Sequence, residues 1–100
     1  PHTRMARIVV RDVDHEKSYL LCKKLSQELA RCNHQLGNIV RLRGPMPCPI
    51  ARIADFHRHQ IEMIAPDAST LQKIMTMLRN EKLLISDNRM AVDVDPTVLL

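Results

Sequence analysis

Residues 44–50 read Gly44-Pro45-Met46-Pro47-Cys48-Pro49-Ile50, with proline at every second position from Pro45. Each proline fixes φ near the polyproline value, removes a backbone donor and pushes the preceding residue out of the helical region. Such a segment joins neither a helix nor the middle of a sheet, so it must be an ordered loop or a sheet edge. It also divides its surroundings into two strands. Before it, Ile39-Val40-Arg41-Leu42-Arg43 form a short strand that the proline run ends, with Val40 and Leu42 on one side and Ile39, Arg41 and Arg43 on the other. After it, a longer strand is expected from Phe56 to Ala65, with Ile61, Met63 and Ala65 toward a core and Arg58, Gln60 and Glu62 away from it.

Moving outward, a helix precedes this strand pair and another follows it. Asp14 is an N-cap, and Leu21, Cys22, Leu25, Leu29 and Cys32 recur at helical steps until Gly37 stops the pattern. Beyond the break at Pro66, Asp67 caps a second helix whose Leu71, Ile74, Met75 and Leu78 make one apolar stripe. Asn80, Asp87 and Asn88 punctuate the turn after it. At the ends of the chain, residues 4–11 alternate, with Ala6, Ile8 and Val10 opposite Arg7, Val9 and Arg11, and Met90 to Val94 form a last strand with Val92 and Val94 inward. The order βαββαβ predicts an α+β, ferredoxin-like sandwich, a four-stranded antiparallel sheet with two helices on one face.

One hundred residues, 45% of them apolar, suffice for a single core without a separate catalytic lobe. The chain reads as one domain over residues 1–100. Because it begins Pro1-His2 without an initiator Met, it is expected to be a piece of a longer protein. Cys22, Cys32 and Cys48 are odd in number and lack paired zinc-site spacing, which suits free thiols in a reducing cytoplasm. No apolar run reaches membrane-span length, so no membrane partner is expected. The charge is uneven: residues 1–50 carry nine Lys/Arg against four Asp/Glu, residues 51–100 six against seven. A basic half suits nucleic acid or an acidic peptide, and equally plain solvation.

With strand order 4-1-3-2, the outward residues of strands one, three and two lie side by side. Arg7 and Arg11 would neighbour Arg58 and Gln60, which would neighbour Arg41 and Arg43. Guanidinium forks on one open face make a phosphate-tracking surface. Against this, Asp93, Asp95 and Glu62 share that face and can pair with the arginines across strands. A base-reading sheet needs aromatic platforms, and the chain has only Tyr19, on a helix, and Phe56, at a strand start. Binding would therefore be led by shape and phosphate and be weakened by salt.

Other motifs carry less. His57 and His59 alternate on one strand face without a third ligand at a diagnostic spacing, and Asp93 with Asp95 is accounted for by neighbouring arginines, so no metal is expected. With Gly37 and Gly44 the only glycines, there is no phosphate-binding glycine loop. No nucleophile, base and orienter can be assembled, so catalysis is not expected in this segment. Met75 and Met77 read as core plus one exposed thioether.

The run 44–50, the following Ala51-Arg52 and Arg58-His59-Gln60, and the closing Val92-Asp93-Val94-Asp95-Pro96 together resemble the C-terminal domain of the primosomal replication-restart helicase PriA (primosomal protein N′). In that family a Gly-Pro-Ala-Pro-Ala-Pro-Ile run leads into an arginine-rich hairpin ending in Arg-Tyr-Arg-Tyr-Gln, and the chain stops soon after Asp-Val-Asp-Pro. The resemblance implies a DNA-binding and docking domain of an ATP-dependent 3′-to-5′ DNA helicase that restarts stalled forks. ATP, Mg and Zn would belong to the parent protein, none to this segment, and the location would be the bacterial cytoplasm, with the nucleoid. Implied partners are single-stranded or forked DNA, the helicase motor domains of the same chain, and single-stranded-DNA-binding protein, whose acidic tail would meet the start of the second helix near Leu71-Gln72. The implied DNA contacts are Arg7, Arg11, Arg41, Arg43, Arg52, Arg58 and Gln60, and the docking residues Pro45, Pro47, Pro49 and Gln72. The chain departs from the family pattern in the hairpin at Ala54, Asp55, Phe56, His57 and His59, and at Ala68, where the family can carry a basic residue. Two alternatives stay open: a protein-interaction module whose arginines are all paired with carboxylates, and a small-ligand regulatory domain.

Overall fold

A computed structural model of the chain describes residues 3–84 and 88–95. Six elements follow one another: β1 (Arg4–Asp12), α1 (His15–Gln35), β2 (Arg41–Ile53), β3 (Phe56–Ala65), α2 (Ala68–Asn80) and β4 (Met90–Val94). The strands form one antiparallel sheet in the order β2-β3-β1-β4, and both helices pack on one face of it. This is the ferredoxin-like sandwich that the alternation predicts. Asp87, expected in the turn before β4, and Pro96 of the closing motif lie outside the described residues.

Local chemistry sets the helix ends. The Asp14 carboxylate accepts from the Lys17 amide at 3.0 Å, and Asp67 accepts from the Thr70 amide at 2.7 Å. The buried stripe of α1 is Cys22, Leu25, Leu29 and Cys32, and that of α2 is Leu71, Ile74, Met75 and Leu78. Both close on Ala6, Ile8, Val10, Ile61, Met63 and Ala65 from the sheet. Between α1 and β2 the chain turns at Gly37 and Asn38, where φ is +84° and +58°. Buried Asn33 clamps that turn: its amide group donates to the Val40 carbonyl at 2.7 Å and its side-chain oxygen accepts from the Val40 amide at 3.1 Å. Val94 sits opposite Ala6 on the helix-side face as expected, yet it is 53% exposed because β4 is a short outer strand.

The strand before the prolines does not end at Arg43. It continues through them to Ile53 as the edge strand of the sheet, so of the two positions open to a proline run the edge is realised. Two shifts of register accommodate it, one between Arg43 and Met46 and a longer one between Pro47 and Arg52. At the first, Gly44 has φ +120° and is followed by a cis peptide to Pro45. The ribbon of β2 and β3 closes at Ala54-Asp55, with φ +48° and +68°, a two-residue turn that matches the twist of the strands.

Candidate nucleic-acid interface

The sheet face opposite the helices collects the arginines as the alternation demands, since Arg11 is opposite Arg58, and Arg7 and Arg43 flank Glu62 from either side. Their surroundings then separate them into two groups. Arg7 is buried, its Nε donating to Asp93 at 3.0 Å and its Nη1 to the buried Gln60 Oε1 at 2.8 Å. Arg43 faces Glu62 at 3.6 Å, and Arg52, out on the ribbon, faces Asp55 at 3.4 Å. Arg4, which the sequence reading passed over, pairs with Asp95, and that bond holds the Asp95 carboxyl below its usual range. Arg7 and Gln60, expected at the surface, are thus buried and bonded to each other across the two central strands, β1 and β3.

The second group is Arg11 and Arg58. Neither meets a carboxylate among the described residues. Arg11 Nε donates to the Asn88 carbonyl, and its guanidinium lies 4.4 Å from the centre of the Phe56 ring. Arg58 Nη1 donates to the Ile50 carbonyl at 2.9 Å, across the second irregularity of β2. A carbonyl holds a guanidinium in place without cancelling its charge, so this pair is oriented and still cationic. Both line an open hollow of about 410 Å³ with Val9, Asn88, Arg89, Met90, Ala91 and Asp93. Arg89 was missed by sequence reasoning, which began the last strand at Met90. Its position beside Arg11 comes from a further ladder bond, Arg11 amide to Arg89 carbonyl at 2.8 Å.

Arg41 is exposed and also on this face, opposite Ile64, but six residues along β3 from Arg58, or about 20 Å at strand rise. Arg11, Arg58 and Arg41 meet no carboxylate among the described residues, with Arg11 and Arg58 at one end of the face and Arg41 at the other. Pro45, Pro47 and Pro49 lie along the edge strand, and Cys48 between them is buried. Burial pushes the Cys48 thiol up, and the Arg58 bond to the Ile50 carbonyl, at 2.9 Å, ties the end of the proline segment to Arg58. Gln72 lines a second hollow, of about 570 Å³, with Leu36, Ser69, Lys73, Thr76 and Met77.

The histidines serve packing. His59 is buried and its Nδ1 lies 2.8 Å from Ser18 Oγ, which donates to the His57 carbonyl at 2.9 Å. His15 touches both His57 and His59 edge-on, at 5.1 Å between ring centres. Burial first, then the charges of His15 and His57, lower the His59 pKa from its ordinary 6.5. The unfolded chain therefore binds a proton that the folded chain refuses, and stability from this site is complete above about pH 6.5 and declines as pH falls below it. Urea unfolding between pH 5 and 8 is expected to show this decline, and His59→Gln to flatten it. No three His, Cys, Asp or Glu side chains come together as metal ligands among the described residues. Burial pushes the Cys22 thiol up to about 12, far from a reactive thiolate.

No helix among the described residues is long and apolar enough to cross a membrane. No curated protein matches the chain. Among solved structures, the de novo designed protein Foldit4 is similar over 93% of each chain at 16% identity, with a TM-score of 0.57. A designed ferredoxin-fold protein is similar over 94% of this chain and 83% of its own, at 14% identity and a TM-score of 0.54. A hydantoinase/carbamoylase family amidase from Burkholderia ambifaria covers 99% of this chain with 28% of its own, at 11% identity and a TM-score of 0.55. At such identities these likenesses describe the fold alone. A family model described as the primosomal protein N C-terminal domain matches residues 1–97.

Proposed function

The chain belongs to the primosomal protein N C-terminal domain family, and from that membership, which carries a primosomal role in replication restart, we propose that it is a DNA-binding and docking domain. The observation that supports the reading is the pair of guanidiniums, Arg11 and Arg58, oriented by carbonyls beside a hollow and meeting no carboxylate among the described residues. Phosphate oxygens are the acceptors such forks suit, and a sugar-phosphate backbone can continue along the face toward Arg41. Arg43 and Arg52 contribute less, since each would have to leave a carboxylate first.

Titration of the chain with fluorescent forked DNA at several salt concentrations tests this. Arg11→Ala and Arg58→Ala should each weaken binding several-fold for every sequence and lower the slope of log K against log salt by about 0.9. Arg43→Ala should change the slope by much less. Unchanged affinity and slope in the first two variants would remove the DNA interface and leave the protein-interaction alternative.

The docking half of the proposal has two parts. The proline-bearing edge, unable to offer a regular donor row, suits contact with the motor domains of a parent ATP-dependent helicase, where ATP, Mg and Zn would reside. The hollow at Gln72 suits an acidic, apolar peptide end such as the tail of single-stranded-DNA-binding protein, with Leu36 and Met77 as its floor and Lys73 as its charge. Asp67 already occupies the Thr70 amide at the start of α2, so a tail carboxylate would meet Lys73 rather than the helix end. A cytoplasmic, nucleoid-associated setting accompanies this reading.

A further inference from the structure

We infer that the end of the β2–β3 ribbon is a seat for one unpaired nucleotide, its base stacked on the outer face of the Arg11 guanidinium and its phosphate in the Arg-lined hollow. The inference rests on the DNA-binding reading and says which part of the DNA meets this face.

Four observations build the seat. The Arg11 guanidinium has one side over the Phe56 ring, at 4.4 Å, and also lines the open hollow. A guanidinium plane backed by an aromatic ring is a stacking surface for a base, which brings its own π-face to a cation. Its Nε bond to the Asn88 carbonyl stops it from turning away, so the surface exists before a ligand arrives. Ile53 is the cross-strand partner of Phe56 and remains 46% exposed, extending the apolar border on the side away from the hollow. Within the hollow, Arg58 and Arg89 flank the space next to the stack, and the carboxylate among its described lining residues, Asp93, is engaged by Arg7 at 3.0 Å. A base inside a duplex has both faces covered by its neighbours and cannot use such a seat, whereas an unpaired one can.

The probes are oligothymidylate, an abasic oligomer of the same length, and a blunt duplex, each titrated against the chain by fluorescence anisotropy at low salt. The chain is expected to bind oligothymidylate about tenfold more tightly than the abasic oligomer, in keeping with one stacked base. Phe56→Leu, which keeps an apolar side chain under Arg11, should abolish that difference while leaving the salt slope on the abasic oligomer unchanged, and Arg11→Lys, which keeps a charge and loses the plane, should abolish the difference as well. Equal affinity of the unaltered chain for the two oligomers, or a difference that survives in both variants, overturns the seat and leaves phosphate binding standing. Absence of binding to all three probes overturns the DNA-binding reading with it.

Discussion

Arg7→Leu lowers the unfolding free energy by about 3 kcal/mol, the expected cost of removing one partner from a buried polar network. Arg7 is only 4% exposed, and its removal takes a donor from both Gln60 and Asp93. Gln60 Oε1, held at 2.8 Å, loses its donor inside a side chain that is 2% exposed. Glu62, across from Arg7 in the sheet and 3% exposed, loses a neighbouring cation while Arg43 remains at 3.6 Å. Asp93 loses a bond of 3.0 Å but is nearly half exposed and recovers most of it from water. Asp93→Asn should therefore cost well under half as much as Arg7→Leu. Pairing Arg7→Leu with Gln60→Leu should return part of the loss, since removing both members avoids an orphaned acceptor. Urea unfolding of the three variants measures these differences, and a cost for Arg7→Leu below about 1 kcal/mol would mean that water reaches Gln60 and Glu62.

The second large effect is expected at Gly44, where Gly44→Ala costs about 2–4 kcal/mol. Two independent causes act there. A φ of +120° is a conformation that side chains rarely adopt, and a Cβ on Gly44 would stand 2.6 Å from the Gln60 carbonyl oxygen and 3.2 Å from the Ile61 Cα. Both obstacles are backbone of a central strand, which cannot swing aside as a side-chain end can. Gly37 provides the comparison, having φ +84° but nothing within 4 Å of an added Cβ. Gly37→Ala should cost only about 1 kcal/mol, the conformational part alone. Thermal or urea unfolding of the two variants separates strain from collision, and equal costs would show that the β2 edge yields to the methyl group.

Most of the architecture was legible because apolar spacing is a local signal that burial then obeys. The stripes Cys22-Leu25-Leu29-Cys32 and Leu71-Ile74-Met75-Leu78 and the alternation Ala6-Ile8-Val10 all face the core they imply. Asp14 and Asp67 cap the helices they precede. The ribbon turn was less visible, since Ala54-Asp55 takes a conformation usually announced by Asn or Gly, and it is imposed by the pairing of Ile53 with Phe56 on either side. Asn33 gave no signal at all, because a polar residue on a helix stripe reads as an interruption until its two bonds to Val40 are seen.

The candidate site divides along the same line. Alternation, with the strand order of the fold it predicts, determined that Arg7, Arg11, Arg41, Arg43, Arg58 and Gln60 share one face, and the family model matches residues 1–97. Which of those arginines keep their charge for a ligand was decided only by the tertiary structure. Whether a guanidinium meets Asp93, Glu62 or a bare carbonyl depends on strand register to within one residue and on how far the β2 edge bulges, and those distances of a few ångströms arise between segments up to 86 residues apart. Coulomb and hydrogen-bond energies change steeply over such distances while hydrophobic spacing does not, which is why the fold was written in the pattern and the site in the packing.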